Sequence, residues 1–185
     1  MARASRWLNK LGVSLAVAAL CAATGACASL KSTLGVRAGA DLRETERAAI
    51  QQACEDISEQ YAHYLDTKDY EGMPNAFAAD GVWEVLGNKM VGADQIREYW
   101  KRRTAQWGAT EGWHHHIGNQ LIEVIDRDHA RGVAYFVVYR FNTDPGSNKS
   151  LAPLVITRSS DDYVRTPQGW RIQRRAIERV ADTAR

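Results

Sequence analysis

The sequence predicts an α+β fold, a cone-shaped half-barrel in which three N-terminal helices close one side of a strongly curved, mostly antiparallel sheet. Two observations lead to this prediction. Apolar residues recur at helical spacing in the first half of the chain, whereas the second half holds four long segments rich in β-branched and aromatic residues. Helices followed by a run of strands with short turns are typical of this fold class.

The helical half begins with the longest apolar pattern. Its members share one face of a helix predicted over 41–67: Ile50, Cys54, Ile57, Tyr61, Tyr64 and Leu65. A second, short helix is expected over 70–79 and a third over 95–107. Between them, 82–86 reads as a short strand followed by a turn.

The strand half divides at turns rich in Asp, Pro and Gly. Long strands are predicted over 114–125, 129–142, 153–166 and 169–180. The strand over 129–142 is apolar on both faces: Val133, Tyr135, Val137, Tyr139 and Phe141 on one side, and Ala134, Phe136 and Val138 on the other. Helices can cover one face, and a partner subunit is expected on the other, so we expect a homodimer or a higher homo-oligomer.

The first 28 residues have the layout of a secretory signal peptide. Three basic residues precede an uncharged apolar run of about 14 residues, and Ala26-Cys27-Ala28 has the small-residue pattern of a cleavage site. This run is shorter than the ~20 residues that span a bilayer, so no membrane span is expected. An alternative is lipidation at Cys27. In either case we expect an exported, periplasmic bacterial protein, with a tether over 29–40 and a pocket domain over 41–185.

Charge and cysteine content narrow the function classes. The chain has 24 basic and 22 acidic residues, but three of the basic ones lie in the leader, which leaves 21 against 22. Without a net basic field, nucleic acid is not an expected partner. Only Cys54 remains after the leader is removed, so a processed chain forms no intramolecular disulfide.

Four histidines occur near the predicted strands: His114, His115, His116 and His129. In a strand His114 and His116 point to one side and His115 to the other, so three ligands to one metal would be poorly placed. Two of them with one carboxylate could form an iron or zinc site, but no other part of the sequence has metal-ligand spacing. We therefore predict no metal and no cofactor.

Five short motifs occur in order along the chain. They are Tyr61 followed by Asp66 at the end of the first helix, Phe-Ala-Ala-Asp-Gly-Val-Trp at 77–83, Gly-Ala-Asp-Gln-Ile at 92–96, His-Ile-Gly-Asn at 116–119 and Gly-Trp-Arg-Ile at 169–172. Over about 46–180 the chain resembles the SnoaL-like branch of the nuclear transport factor 2-like superfamily. Some members, such as scytalone dehydratase, bile-acid dehydratase and hexachlorocyclohexane dehydrochlorinase, eliminate small groups without a cofactor.

The resemblance implies a catalytic set of Asp66, His116 and Tyr61. His116 would be the general base, Asp66 would orient it, and Tyr61 would polarise a carbonyl or protonate the leaving oxygen. Such roles fit a histidine that titrates near neutral pH and a phenol that can donate a hydrogen bond. Scytalone dehydratase has a second catalytic histidine farther along the sheet, where this chain offers Tyr135 and Tyr139.

Four aromatic side chains are candidates for contact with a substrate: Trp83, Trp113, Tyr135 and Tyr139. The leading hypothesis is a cofactor-independent lyase, of dehydratase or related elimination type, for a small hydrophobic, cyclic or aromatic molecule. Retro-aldol cleavage and double-bond isomerisation would use the same residues. The alternatives are an exported binding module without turnover and a structural dimerisation domain, because fold alone does not give function.

Overall fold

The computed structural model describes residues 42–144, 146–147 and 153–182. The predicted leader over 1–28, the tether over 29–40 and the lipidation candidate Cys27 lie outside these residues. Neither of the helices in the described part of the chain is long and apolar enough to cross a membrane.

Helix α1, Glu44–Asp66, follows the apolar pattern of the sequence. The predicted start at residue 41 is early, because Arg43 is the N-cap and its backbone N–H donates to Glu46, 3.0 Å away. One side of the helix is buried at intervals of three or four residues: Ile50, Cys54, Ile57, Tyr61 and Leu65. This stripe packs on the concave face of the sheet.

The C-terminus of α1 is fixed by backbone hydrogen bonds. Lys68 adopts a left-handed conformation with φ of 56°. Its N–H donates to the carbonyl of Leu65 at 3.3 Å, and the N–H of Asp69 donates to the carbonyl of Tyr64 at 2.9 Å. This pair of bonds is a Schellman motif, which satisfies carbonyls that the helix end would leave unpaired. Asp66 is therefore held at the last helical position.

The second predicted helix, over 70–79, is wrong. The structure has a 3₁₀ turn at Met73–Ala76, and Phe77 already begins a strand. Phe77 is buried and lies beside Ile172 in the sheet, so tertiary pairing overrides the local helical preference. The described chain thus has two α-helices rather than three, the second being α2, Gly92–Thr104.

Six strands form one mixed, curved sheet. In chain order they are β1 Phe77–Val85, β2 Asn88–Val91, β3 Glu111–Val124, β4 His129–Asn142, β5 Pro153–Thr166 and β6 Gly169–Asp182. The spatial order is β2-β1-β6-β5-β4-β3; β1 and β6 are parallel, and every other neighbouring pair is antiparallel. The α+β class and the meander of long strands are confirmed.

Asn88 and Lys89, which the sequence predicts as part of a turn, belong to strand β2. The turn is in fact the two residues Leu86 and Gly87, which have φ values of 47° and 84°. Positive φ at both central positions matches the twist of a tight hairpin, so residues 88–91 can pair with β1.

A bulge in β3 changes which side chains face the core. Asn119 has φ of 51°, and the pairing with β4 shifts between Gly118 and Leu121. Before the bulge the partly buried apolar positions are odd-numbered, Trp113 and Ile117, whereas after it the buried positions are even-numbered, Ile122 and Val124. His115 shares the inward face with Trp113 and Ile117.

A buried ion pair lies at the centre of the sheet, beneath α1. The side chains of Arg175 on β6 and Asp161 on β5 are both fully buried. Arg175 Nε and Nη2 each donate to one Asp161 oxygen at 2.8 Å, and Nη2 also donates to the Ser58 hydroxyl at 2.7 Å. Burial alone would lower the pKa of Arg175, but Asp161 outweighs that effect and raises it, so the guanidinium stays charged.

Aromatic rings complete the surroundings of this ion pair. The Tyr163 hydroxyl donates to Asp161 at 3.0 Å, and the Arg175 guanidinium lies 4.4 Å from the centre of the Tyr61 ring. Burial raises the pKa of both phenols above the ordinary value; Asp161 adds to the effect at Tyr163, and Arg175 partly offsets it at Tyr61. The ion pair therefore fixes the position of Tyr61 from below.

Replacing Arg175 with Met should lower the free energy of unfolding by about 3–5 kcal/mol, because Asp161 would remain as an uncompensated buried charge. Arg174→Met is the matched control, since Arg174 is 44% exposed in its pair with Glu84 and should cost less than about 1 kcal/mol. Denaturant unfolding measures both. Equal losses for the two variants would show that the buried pair is not a stability determinant.

Two of the seven tyrosines should resist ionisation in alkaline solution. In the folded chain the pKa values of the Tyr61 and Tyr163 phenols are raised above the value of about 10 that a tyrosine has in the unfolded chain. The two protonated phenols therefore do not favour unfolding below that pH, whereas at higher pH ionisation in the unfolded chain lowers the free energy of unfolding. Titration of phenolate absorbance should show these two groups ionising only as the chain unfolds. The variants Tyr61→Phe and Tyr163→Phe identify them, and a folded chain in which all seven phenols ionise together would contradict the assignment.

Candidate functional site

A cavity of about 360 Å³ lies between the concave face of the sheet and the two helices. Its wall is mostly apolar, and six of its side chains are aromatic: Tyr61, Trp83, Tyr99, Trp100, Trp113 and Phe136. The polar side chains that line it are few: Arg103, His115, Thr157, Arg179 and Asp182. A concave apolar space with a small number of polar groups is the usual form of a small-molecule site.

One histidine of this wall is paired with the aspartate at the end of α1. His115 Nδ1 lies 2.6 Å from Asp66 Oδ1, and the backbone N–H of His115 donates to both Asp66 oxygens at 3.0–3.1 Å. This N–H is available because β3 is the edge strand and His115 is not bonded through it to β4. The Asp66 carboxylate therefore holds both the strand and the ring.

The position of Asp66 is electrostatically demanding. A carboxylate in the last turn of a helix meets the negative end of the helix dipole, which disfavours its charge. The histidine N–H groups around it supply the compensating positive potential, including His114 Nδ1 at 3.2 Å. Asp66 is only 18% exposed and His115 only 9%, so the contact between them acts with little solvent screening, whereas His114 is 62% exposed.

The pairing defines the chemistry of the His115 ring. A carboxylate only accepts hydrogen bonds, so it keeps a proton on Nδ1 and leaves the lone pair of the neutral ring on Nε2. Among the described residues, none is hydrogen-bonded to Nε2, and the side chain lines the cavity with 9% exposure. The arrangement can accept a proton from a molecule in the cavity and stabilise the resulting imidazolium.

The assignment of the Asp66 partner to His116 is corrected to His115. His116 is exposed and lies on the opposite face of β3 because side chains alternate along a strand. The contacts of Asp66 with histidines in the described chain go to His115 and, at the exposed edge, to His114. In the same part of the chain, no group of three or more His, Cys, Asp or Glu residues is placed to hold a metal ion.

Tyr61 lies on the same wall as His115. Both rings pack edge-on against Phe136, with centroid distances of 6.2 and 6.5 Å. Tyr61 is 1% exposed and also contacts Trp83 at 5.9 Å. Because burial raises its pKa, the phenol keeps its proton at physiological pH and can act as a hydrogen-bond donor.

The four aromatic substrate candidates separate into two pairs. Trp83 and Trp113 line the cavity. Tyr135 and Tyr139 do not, because the inward positions of β4 are the even-numbered Phe136 and Val138. Their assignment as substrate contacts is wrong, and they lie on the outer face of the sheet.

Sequence reasoning also missed two arginines. Arg175 lies in a fully buried ion pair, and the sequence carries no signal that separates it from its exposed neighbour Arg174. Arg103 was not considered, although it lies within the predicted third helix, two turns after Ile96, and its side chain lines the cavity.

Comparison with solved structures agrees with the fold. A candidate scytalone dehydratase from Novosphingobium aromaticivorans is 16% identical, with a TM-score of 0.65 over 76% of this chain and 91% of that one. An NTF2-like protein with a cystatin-like fold from the same species is 20% identical, with a TM-score of 0.64 over 85% and 92%. A protein from Catenulispora acidiphila, solved in complex with S-DNPA, is 18% identical, with a TM-score of 0.62 over 71% and 94%.

At these identities the structures establish likeness of fold and nothing about activity. No curated protein matches the sequence. A family model does match, over residues 45–176, and its description is a SnoaL-like domain. These residues include all of α1 except Glu44, all of α2 and of β1 to β5, and the first part of β6, as far as residue 176. The chain therefore belongs to the SnoaL-like domain family.

Proposed function

We propose that this protein is a cofactor-independent lyase that eliminates a small group from a cyclic or aromatic molecule, with His115 as general base. The observation that carries the proposal is the 2.6 Å contact between His115 Nδ1 and Asp66, which leaves Nε2 free at the cavity wall. The similarity of fold to a candidate scytalone dehydratase agrees with this reaction class.

The reaction would begin at a C–H bond acidified by a neighbouring carbonyl or aromatic system. His115 Nε2 takes the proton, and Asp66 stabilises the imidazolium that forms. Tyr61 donates a hydrogen bond to the oxygen on which negative charge develops. Because ionising Tyr61 is costly in its buried position, the imidazolium is the better source of the proton that the departing hydroxide takes as water leaves. His115 then returns to its neutral form.

Retro-aldol cleavage and double-bond isomerisation use the same base and the same hydrogen-bond donor. In retro-aldol cleavage the base takes the proton of a hydroxyl group and a C–C bond breaks, whereas in isomerisation it takes a proton from one carbon and returns it to another. The second candidate function is a binding module that holds an apolar ligand in the same cavity without turnover. The aromatic side chains of the wall support this candidate. Turnover that depends on His115 separates an enzyme from a binder.

The test uses a panel of aromatic alcohols and polycyclic ketols, followed by mass spectrometry for loss of water or formaldehyde. We expect His115→Ala to lower the rate by about 10²-fold or more, the usual contribution of a positioned general base. His116→Ala is the matched control. It removes an adjacent exposed imidazole from the other face of the strand and should leave the rate within about twofold.

Asp66→Asn adds a second arm to this test, because the amide has the shape of the carboxylate but cannot stabilise the imidazolium. Its rate should fall while the binding of a substrate in the cavity is kept. Activity that survives His115→Ala would reject the base assignment. A ligand that binds tightly but is never converted, by wild type or variants, would favour the binding module.

We also propose that the chain forms a homodimer through the outer face of the sheet. On that face of β4 the apolar side chains Val133, Tyr135, Val137 and Tyr139 are partly buried, and Leu121 on β3 is 72% exposed. Neither helix of the described chain covers this face, since both pack on the concave side. A contiguous apolar sheet face of this kind is characteristic of a subunit interface.

Light scattering should therefore give wild type a mass of two chains. Val137→Glu places a charge at the centre of the outer face and should yield a folded monomer, because an unpaired charge is costly in an apolar interface. Arg102→Glu, at an exposed position of α2, is the control and should remain a dimer. A wild-type mass of one chain would contradict the proposal.

A further inference from the structure

We propose that the ligand of the cavity carries a carboxylate, which Arg103 binds at the end of the cavity formed by α2 and the start of β3. This inference deepens the proposed function, since it takes the same cavity as the substrate site and adds the chemical class of the substrate. It rests on the charge balance of the wall and on hydrogen-bond donors that have no acceptor.

Two other cations of α2 are neutralised, whereas Arg103 is not. Arg97 pairs with Asp94 at 2.6 Å and with Glu71 at 2.9 Å, and Lys101 lies 3.5 Å from Glu71. Within the described residues, the contact of the Arg103 guanidinium is with the face of the Trp113 ring, 5.3 Å from its centroid, and no carboxylate or carbonyl accepts from it. Its five N–H groups therefore remain open to a ligand.

The remaining charges of the cavity wall are also accounted for. His115 is paired with Asp66, and Arg179 is paired with Asp182 at 2.6 Å. Arg103 is thus the one cationic side chain of the described wall that has no anionic partner. Between aromatic rings, where the effective dielectric constant is low, such an excess positive charge attracts an anion more strongly than it would on an open surface.

Three indole N–H groups of the cavity wall lack an acceptor in the described chain, and two of them belong to α2 and the start of β3. Trp100 Nε1 and Trp113 Nε1 are buried and have no hydrogen-bond acceptor within the described chain. Trp100 is 3% exposed, and both rings line the cavity. Buried polar groups are normally satisfied, so unpaired donors beside a free guanidinium indicate a ligand that brings acceptor oxygens. A carboxylate matches the planar fork of arginine and accepts at both oxygens.

The surrounding rings select a planar body for this anion. The Trp113 ring contacts the Arg103 guanidinium at 5.3 Å and the Trp107 ring, whose centroid is 4.3 Å away at an interplanar angle of 34°. Trp100 contacts both of these rings edge-on, at 5.6 and 6.1 Å. Flat aromatic walls favour stacking with a flat ligand. The class we infer is therefore a planar, cyclic carboxylic acid.

A purely structural role for Arg103 makes a different prediction. A cation in the last turn of a helix stabilises the helix dipole, and stacking on Trp113 adds packing. In that case the loss of Arg103 would change the stability of α2 and weaken neutral and anionic ligands alike. Selective loss of anion binding is the property that a structural clamp does not explain.

The experiment compares 2-naphthoate with 2-naphthamide by titration calorimetry at neutral pH. The two molecules have nearly the same shape and differ in charge. Wild type should bind the acid about tenfold or more tightly than the amide, as expected for a charge-assisted bidentate contact. Arg103→Gln should reduce the affinity for the acid to that for the amide and leave the amide within about twofold. Arg103→Lys, which keeps the charge without the fork, should retain part of the preference.

Arg102→Gln is the matched control. Arg102 is the adjacent arginine, it is exposed, and it borders a different groove, beside Lys89 and Glu98. This variant should behave as wild type. Should Arg103→Gln fail to fold, the salt dependence of wild type serves the same purpose: affinity for the acid should fall as ionic strength rises, and affinity for the amide should not.

The proposal is overturned if wild type shows no preference for the acid, if Arg103→Gln weakens both probes equally, or if Arg102→Gln has the same effect as Arg103→Gln. Its failure is distinct from failure of the proposed function. If the acid is not preferred but neutral substrates are converted in a reaction that depends on His115, the anion site is rejected and the lyase proposal stands. If the acid binds selectively but no substrate is converted, the lyase proposal is rejected and the anion site stands.

Discussion

The contact between the Asp66 carboxylate and His115 joins the two halves of the molecule. It connects the last turn of α1 to the edge strand of the sheet through the backbone N–H and the ring of one residue. The Schellman motif fixes Asp66 at one side of the contact, and the strand pairing of β3 with β4 fixes His115 at the other. The ring of the proposed base is therefore positioned by rigid elements rather than by a loop, an arrangement that gives a functional group a precise geometry.

The described domain contains, among its pairs of oppositely charged or chargeable groups, a structural ion pair and the pair proposed to react. Arg175 and Asp161 are fully buried and bidentate, so neither is available to a ligand without a large energetic penalty. Their contribution to the site is indirect, because the guanidinium supports the ring of Tyr61 from below. Asp66 and His115 are partly exposed, and their ring nitrogen at the cavity remains free. Both pairs combine a cationic or cationisable group with a carboxylate, and burial decides which one can do chemistry.

The sequence predicted the long strands well because period-two alternation and turn residues are local signals. It failed where tertiary pairing decided the outcome, as at Phe77, whose partner Ile172 is distant in sequence. The prediction of His116 rather than His115 was wrong because it placed the wrong face of β3 toward the interior. Trp113 and Ile117 are apolar and lie on the same side of the strand as His115, so the alternation around the histidines indicates that His115 faces the core. No local pattern distinguishes the buried Arg175 from Arg174, since a bulge between β5 and β6 sets their faces.

The two proposals together constrain the size of a substrate. Arg103 stacks on Trp113, and the centroid of the Trp113 ring is 6.0 Å from that of His115. Trp113 and His115 face inward from the same strand, two positions apart, which corresponds to about 6.6 Å along the strand. A carboxylate at Arg103 would therefore place the C–H bond that His115 attacks about one or two fused rings away. A cavity of about 360 Å³ accommodates a body of that size, and a carboxylate remote from the reacting carbon would supply binding energy that orients the substrate. In such a site the anion serves for alignment, and the histidine alone performs the proton transfer.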